Sequence, residues 1–128
     1  MAVHVLVADD EPHIGRIIQT KLEQGPFRVT LVSDGPAALR ALEEYPDVGL
    51  VLLDVMMPGL TGLEVLAAIR SDQRWAALPC VILTAAGHEQ QREEAFRLGV
   101  DDFMTKPFSP KRLYARVAEL TATAPGLS

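Results

Sequence analysis

The sequence predicts an α/β fold, a doubly wound sheet of five parallel strands in the order 2-1-3-4-5. Three observations predict it. Short apolar, β-branched runs alternate five times with longer segments of helical period. The strand runs suit a sheet covered on both faces. The chain has 128 residues, one domain's length, and a closed barrel of eight such units would need roughly twice that.

The elements follow in order. VHVLVA (3–8) reads as a buried strand, and Pro12 then suits a helix start, with Ile14, Ile17, Ile18 and Leu22 at helical spacing. Gly25-Pro26 ends that helix before a second strand, FRVTLV (27–32). Ser33-Asp34-Gly35 opens a helix carrying Ala38, Leu39, Ala41 and Leu42, which Pro46 stops. The third strand, 48–53, runs into Asp54 and the turn at Pro58-Gly59. A helix over roughly 62–71 follows, with Val65, Leu66 and Ile69 on one side, and Trp75 is expected to cover its end. CVILT (80–84) is the fourth strand, 88–98 reads as a helix stopped by Gly99, and DDFMT (101–105) is a short fifth strand. The last helix runs from about Pro110 to Leu120. Residues 1–120 are thus expected to form the domain, and 121–128, a small-residue stretch, a flexible tail or the start of a linker.

Composition narrows the function. Apolar residues make up 48% and charged residues 23%, enough for a core and against disorder. A net charge of -5 without a basic run argues against direct nucleic-acid binding. No apolar stretch is long enough to cross a membrane, and Cys80, the only cysteine, is expected to be a buried thiol. The expected location is cytoplasmic. His4, His13 and His88 show no ligand spacing and are expected to be exposed or incidental.

In an open parallel sheet, ligands bind beyond the carboxyl ends of the strands, near the point where strand order reverses. Asp9, Asp10 and Glu11 follow the first strand, Asp54 and Met56 the third, Thr84 and Ala85 the fourth, and Lys106-Pro107 the fifth. Strands one and three are neighbours in the expected order, so Asp9, Asp10 and Asp54 share a pocket. Three like charges repel unless a cation settles among them. Mg²⁺ fits, with Asp10 and Asp54 as expected direct ligands, the Met56 backbone carbonyl as a third, and Asp9 acting partly through water. Thr84 and Lys106 then offer a hydroxyl and an ammonium to a further anion. Phosphoryl transfer needs such positioning and charge neutralisation, and Asp54 is placed as its nucleophile. A cis Lys106-Pro107 bond would turn the lysine inward.

Taken together, LVADDEP, LVLLDVMMPGLTGLEVL, VILTAAG and GVDDFMTKPFSP resemble the receiver (response-regulator) domain of two-component signalling, over about residues 3–120. The resemblance implies a flavodoxin-like (βα)5 fold. It implies that Asp54 accepts a phosphoryl group from a histidine kinase phosphohistidine, that Asp9 and Asp10 with the Met56 carbonyl hold Mg²⁺, and that Lys106 contacts the phosphate. Thr84 and Phe103 take the switch positions, through which the face made by helix four, strand five and helix five is remodelled. Phe103 lacks the hydroxyl of the tyrosine often found there, so packing alone would drive its rotation. Met56 and Ala86 fall at positions that tune dephosphorylation, and neither side chain activates water.

The implied partners are a sensor histidine kinase or phosphotransfer protein upstream, and a downstream protein or covalently linked output domain. Relatives with winged-helix outputs form phosphorylation-dependent dimers through charge pairs on this face. Arg92, Asp102 and Arg116 resemble members of that set, whereas Arg112 stands where glutamate is usual and would meet Arg92 unfavourably. The chain would assist its own phosphotransfer and dephosphorylation without turning over external substrates. Two other classes fit less well. A degenerate receiver acting as a phosphorylation-independent binding module sits poorly with the intact acidic pair, Asp54, Thr84 and Lys106. A hydrolase with an aspartyl nucleophile needs an enclosing cap, for which the short connections leave little room.

Overall fold

The structure is a computed structural model and describes residues 2–85, 87 and 90–121. Ala86, His88 and residues 122–128 of the expected tail lie outside the described residues.

Each apolar run becomes a strand, and each helical period a helix. The order is β1 (Val3–Ala8), α1 (Pro12–Leu22), β2 (Phe27–Val32), α2 (Gly35–Glu44), β3 (Val48–Asp54), α3 (Gly62–Ser71), β4 (Cys80–Ala85), α4 (Gln91–Arg97), β5 (Asp102–Lys106) and α5 (Pro110–Thr121). All strand pairs are parallel, in the order β2-β1-β3-β4-β5. The predicted fold class is the observed one.

Local chemistry sets the helix starts. Asp34 caps α2 by accepting from the Ala37 N–H at 2.7 Å. Thr61 and Glu64 form a reciprocal capping box on α3, satisfying two N–H groups that a helix start otherwise leaves bare. α4 covers Gln91–Arg97 and ends one residue before the expected 98: Leu98 is its C-cap and Gly99, at φ +95°, closes the turn.

The sheet separates two apolar layers because successive strand residues point to opposite faces. Leu6, Leu53, Ile82 and Phe103 face one way and pack with Ala38 and Leu42 of α2, Leu66 and Ile69 of α3, and Ala95 of α4. Val5, Val7, Leu52 and Leu83 face the other way, against Ile18 and Leu22 of α1 and Leu113 and Val117 of α5. Trp75 packs partly buried against the first layer, with the Arg74 guanidinium 4.3 Å from its ring centroid. Cys80 is buried there, and burial pushes its thiol up to about 12.

His4 overturns its expectation. It is 1% exposed on β1, where Nδ1 lies 3.0 Å from Asp47 Oδ1 and Nε2 lies 2.7 Å from Thr30 Oγ1. The Tyr45 ring meets it edge-on, and Arg28 pairs with the outer oxygen of Asp47. Both ring nitrogens have polar partners, so β1 can hold a histidine between two neighbouring strands.

Arg70 ties the connections on the α3 side together. It donates to the carbonyls of Gly99 (2.9 Å), Leu78 (2.7 Å) and Trp75 (3.3 Å) and pairs with Asp101 at 3.1 Å. Asp101 in turn accepts from the Cys80 N–H at 2.8 Å, fixing where β4 begins. At the far edge a groove of about 700 Å³ runs between α4, β5 and α5, bordered by Arg92, Phe103, Phe108, Arg112 and Arg116. None of the helices among the described residues is long and apolar enough to cross a membrane.

Candidate functional site

Parallel register delivers the candidate residues to one edge of the sheet. Ala8 pairs with Leu53, so Asp9 and Asp54 are the next residues out on adjacent strands. Asp54 pairs with Leu83, placing Thr84 one residue beyond, and Ala85 pairs with Lys106. Asp9, Asp54, Thr84 and Lys106 of the expected set are therefore delivered to one edge by strands β1, β3, β4 and β5.

Asp9 and Asp54 are each 5% exposed. Asp9 Oδ1 accepts from the Glu11 N–H at 2.9 Å, and Asp54 Oδ1 accepts from the Met56 N–H at 3.3 Å. Lys106 closes the group: Nζ donates to Asp9 Oδ2 at 2.8 Å, Glu11 Oε1 at 2.9 Å and Asp54 Oδ2 at 3.3 Å. The Lys106-Pro107 peptide bond is cis. Thr84 is fully buried, and its Oγ1 has no hydrogen-bond partner among the described residues. A buried hydroxyl left unpaired is costly, and it marks a place where a ligand atom would be welcome.

The floor of the site is set by a glycine. Gly62 opens α3 against the end of β3, its N–H donating to the Val55 carbonyl at 2.9 Å. A Cβ there would lie 2.3 Å from the Asp54 carbonyl oxygen. Gly59, at φ +82°, makes the turn that returns the chain to α3, with Pro36 packed against it.

Burial raises the Asp54 carboxyl to about 6, and the negative charge of Asp9 adds to the effect while Lys106 opposes it. Burial works against the Lys106 charge, yet its bonds to Asp9 and Glu11 and the nearby carboxylates carry its pKa above the ordinary lysine value. Glu11 is held below the usual range by its hydrogen bond to Lys106. Two buried acids and one ammonium thus act as a single electrostatic unit.

Asp9, Glu11 and Asp54 each place a carboxylate oxygen within 4.8 Å of the others. Three hard oxygen donors against one ammonium leave an excess of negative charge, a donor set that fits Mg²⁺. Asp10, expected as a direct ligand, is exposed and stands outside this group. Glu11, which the sequence pattern does not single out, stands inside it. Met56 is half-exposed and reaches the site through its backbone.

A sequence model of the response regulator receiver domain matches residues 5–118. The chain belongs to the receiver-domain family of response regulators. It is 39% identical over 118 residues to the phosphate regulon transcriptional regulatory protein PhoB of Escherichia coli K12, covering 91% of this chain and 51% of that protein. It is 44% identical over 114 residues to the alkaline phosphatase synthesis transcriptional regulatory protein PhoP of Bacillus subtilis, covering 88% and 46%. This receiver domain therefore spans about half the length of the curated relatives it matches. The receiver domain of the Francisella response regulator 1452 superposes with a TM-score of 0.81 at 34% identity, covering 92% of this chain and 95% of that one.

Membership makes the domain a phosphorylation-dependent signalling module of two-component systems. In this receiver domain Phe103 is buried in the α2–α3–α4 layer, and Arg92 spans it, donating to its carbonyl at 3.4 Å with the guanidinium 5.8 Å from its ring centroid. Arg116 is engaged within the chain, at 2.7 Å from Asp102 and 2.9 Å from Glu119.

Proposed function

We propose that Asp54 accepts a phosphoryl group from the phosphohistidine of a sensor histidine kinase or phosphotransfer protein. A carboxylate oxygen of Asp54 forms the new bond to phosphorus. The phosphorus–nitrogen bond breaks, and its electron pair stays on the imidazole nitrogen, which takes up a proton. One observation carries the reading: a buried carboxylate lies beside a second buried carboxylate and an ammonium, and one register step beyond is a buried hydroxyl with no partner among the described residues.

Asp9, Asp54 and the Met56 carbonyl would hold Mg²⁺, with Asp10 turning in from its exposed position to join them; the chemistry of the ion when bound is to neutralise charge on the transferring phosphoryl oxygens. Lys106 steadies a phosphoryl oxygen, and Thr84 supplies a hydroxyl hydrogen bond to another. Thr84 and Phe103 pass the change to the face formed by α4, β5 and α5, which controls a downstream protein or a linked output domain. A phosphorylation-dependent dimer through Arg92, Asp102 and Arg116 is one form of that control, and Arg112 counts against it. Residues 1–120 together with Thr121, the last residue of α5, are the working unit, the residues that follow serve as tail or linker, and the setting is cytoplasmic.

The test is incubation with acetyl phosphate with and without Mg²⁺, read by intact mass, with Asp54→Ala alongside. A gain of one phosphoryl group that needs both Mg²⁺ and Asp54 is expected. No gain by a folded protein that binds Mg²⁺ would overturn the reading for small donors.

A further inference from the structure

An ammonium has three N–H donors. In Lys106 all three are matched by carboxylates, those of Asp9, Glu11 and Asp54. A phosphoryl oxygen on Asp54 can therefore gain Lys106 only when one of these contacts opens. The contacts to Asp9 and Glu11, at 2.8 and 2.9 Å, are tighter than the 3.3 Å contact to Asp54. The ammonium is drawn toward the rim.

The three carboxylates differ in what release costs them. The Asp9 side chain is 2% exposed, and losing its cation would leave a charge stranded away from water. The Asp54 contact is the one that a phosphoryl group would itself take over. The Glu11 side chain is 49% exposed, so water can solvate it once it lets go.

The position of Glu11 points the same way. It is the N-cap of α1, where a short oxygen-bearing side chain would ordinarily accept from the helix backbone. Glu11 makes no such bond. Its longer side chain crosses instead to the end of β5. The carboxylate therefore links the start of α1 to Lys106 over the mouth of the pocket.

We infer that Glu11 is a positioning residue that tethers Lys106 away from Asp54, so that Glu11 and a phosphoryl group compete for one ammonium. This rests on the phosphoacceptor reading of Asp54. The tether favours the unphosphorylated state, and phosphorylation frees the N-terminal end of α1 from the end of β5.

The experiment uses the full 128-residue chain and beryllofluoride, a phosphoryl mimic, at saturating Mg²⁺, with Glu11→Gln, Glu11→Asp and Asp54→Asn beside the wild type. Beryllofluoride should bind Glu11→Gln about two- to fivefold more tightly than wild type, the range an exposed ion pair supports. Glu11→Asp keeps the charge but draws it back, and should also bind more tightly than wild type. The Lys106 ammonium signal in ¹⁵N-detected NMR of the unliganded protein should persist in wild type and be lost by solvent exchange in Glu11→Gln. Equal or weaker beryllofluoride binding by Glu11→Gln would overturn the tether while leaving the phosphoacceptor reading intact. Wild-type affinity in Glu11→Asp would also overturn it, because charge rather than contact would then matter. Absence of Asp54-dependent binding in every form would bring down both readings.

Discussion

Lys106 Nζ lies 2.8 Å from Asp9 Oδ2, across a sequence separation of 97 residues, and both side chains are almost out of solvent. An ion pair buried this far is retained at a cost, and removing one member exposes that cost. Lys106→Met should lower the stability of the metal-free protein by about 2–4 kcal/mol, since Asp9 and Asp54 then face each other without a cation. Urea unfolding measures the loss. Millimolar Mg²⁺ should recover part of it in the variant and add less to the wild type.

Asp54 gives a pH dependence whose sign follows from its raised pKa. The folded protein holds the Asp54 proton more firmly than the unfolded chain does. Its contribution to stability is therefore complete below about 3.8 and is lost as pH rises through about 6. The difference in unfolding free energy between wild type and Asp54→Asn should change by at most about 3 kcal/mol across that window, with Asn the more stable at pH 7. Comparing the two proteins cancels the carboxylates remote from Asp54, so the difference reports Asp54 together with the Asp9 and Lys106 groups it faces. A flat difference would mean that Asp54 titrates normally.

Thr84 should separate stability from signalling. Its hydroxyl is buried with no partner among the described residues, so Thr84→Val removes an unsatisfied group while keeping the branched shape. The variant should be more stable by about 1–2 kcal/mol in thermal or urea unfolding. Its phosphorylated form, measured by intact mass after acetyl phosphate treatment, should accumulate less and decay differently. Destabilisation by Thr84→Val would show that the hydroxyl already has a partner.

Gly62 holds the acceptor in register. A methyl group 2.3 Å from the Asp54 carbonyl oxygen forces α3 away from the end of β3. Gly62→Ala should cost about 2–3 kcal/mol, the range for overpacking against rigid backbone. Phosphorylation by acetyl phosphate should slow with it. Gly15→Ala, whose added Cβ would meet the Leu31 side chain at an ordinary 3.5 Å, should leave the rate unchanged.

Much of this was legible in the sequence because period and position carry it. An unbroken apolar run ending in Asp54 can only deliver that residue to a strand end, and the order of five βα units fixes which ends are neighbours. Contacts that depend on side-chain reach were not legible. Glu11 follows Asp9 and Asp10 like any turn residue, and only the fold shows its carboxylate 2.9 Å from Lys106. His4 looks incidental beside apolar neighbours, until β2 supplies Thr30 and the residue before β3 supplies Asp47. The Arg70 clamp joins carbonyls that carry no sequence signal at all.

The division of the core into two layers has a consequence at the sheet edge. Ala95 of α4 and Phe103 belong to one layer, whereas Leu113 and Val117 of α5 belong to the other. β5 lies between them and, among the described strands, is bonded to β4 alone. The groove along α4, β5 and α5 is therefore the seam where the two halves of the interior reach the surface together. A molecule seated there grips both halves at once. Its fit depends on their mutual offset, a quantity that can change while each half keeps its own packing.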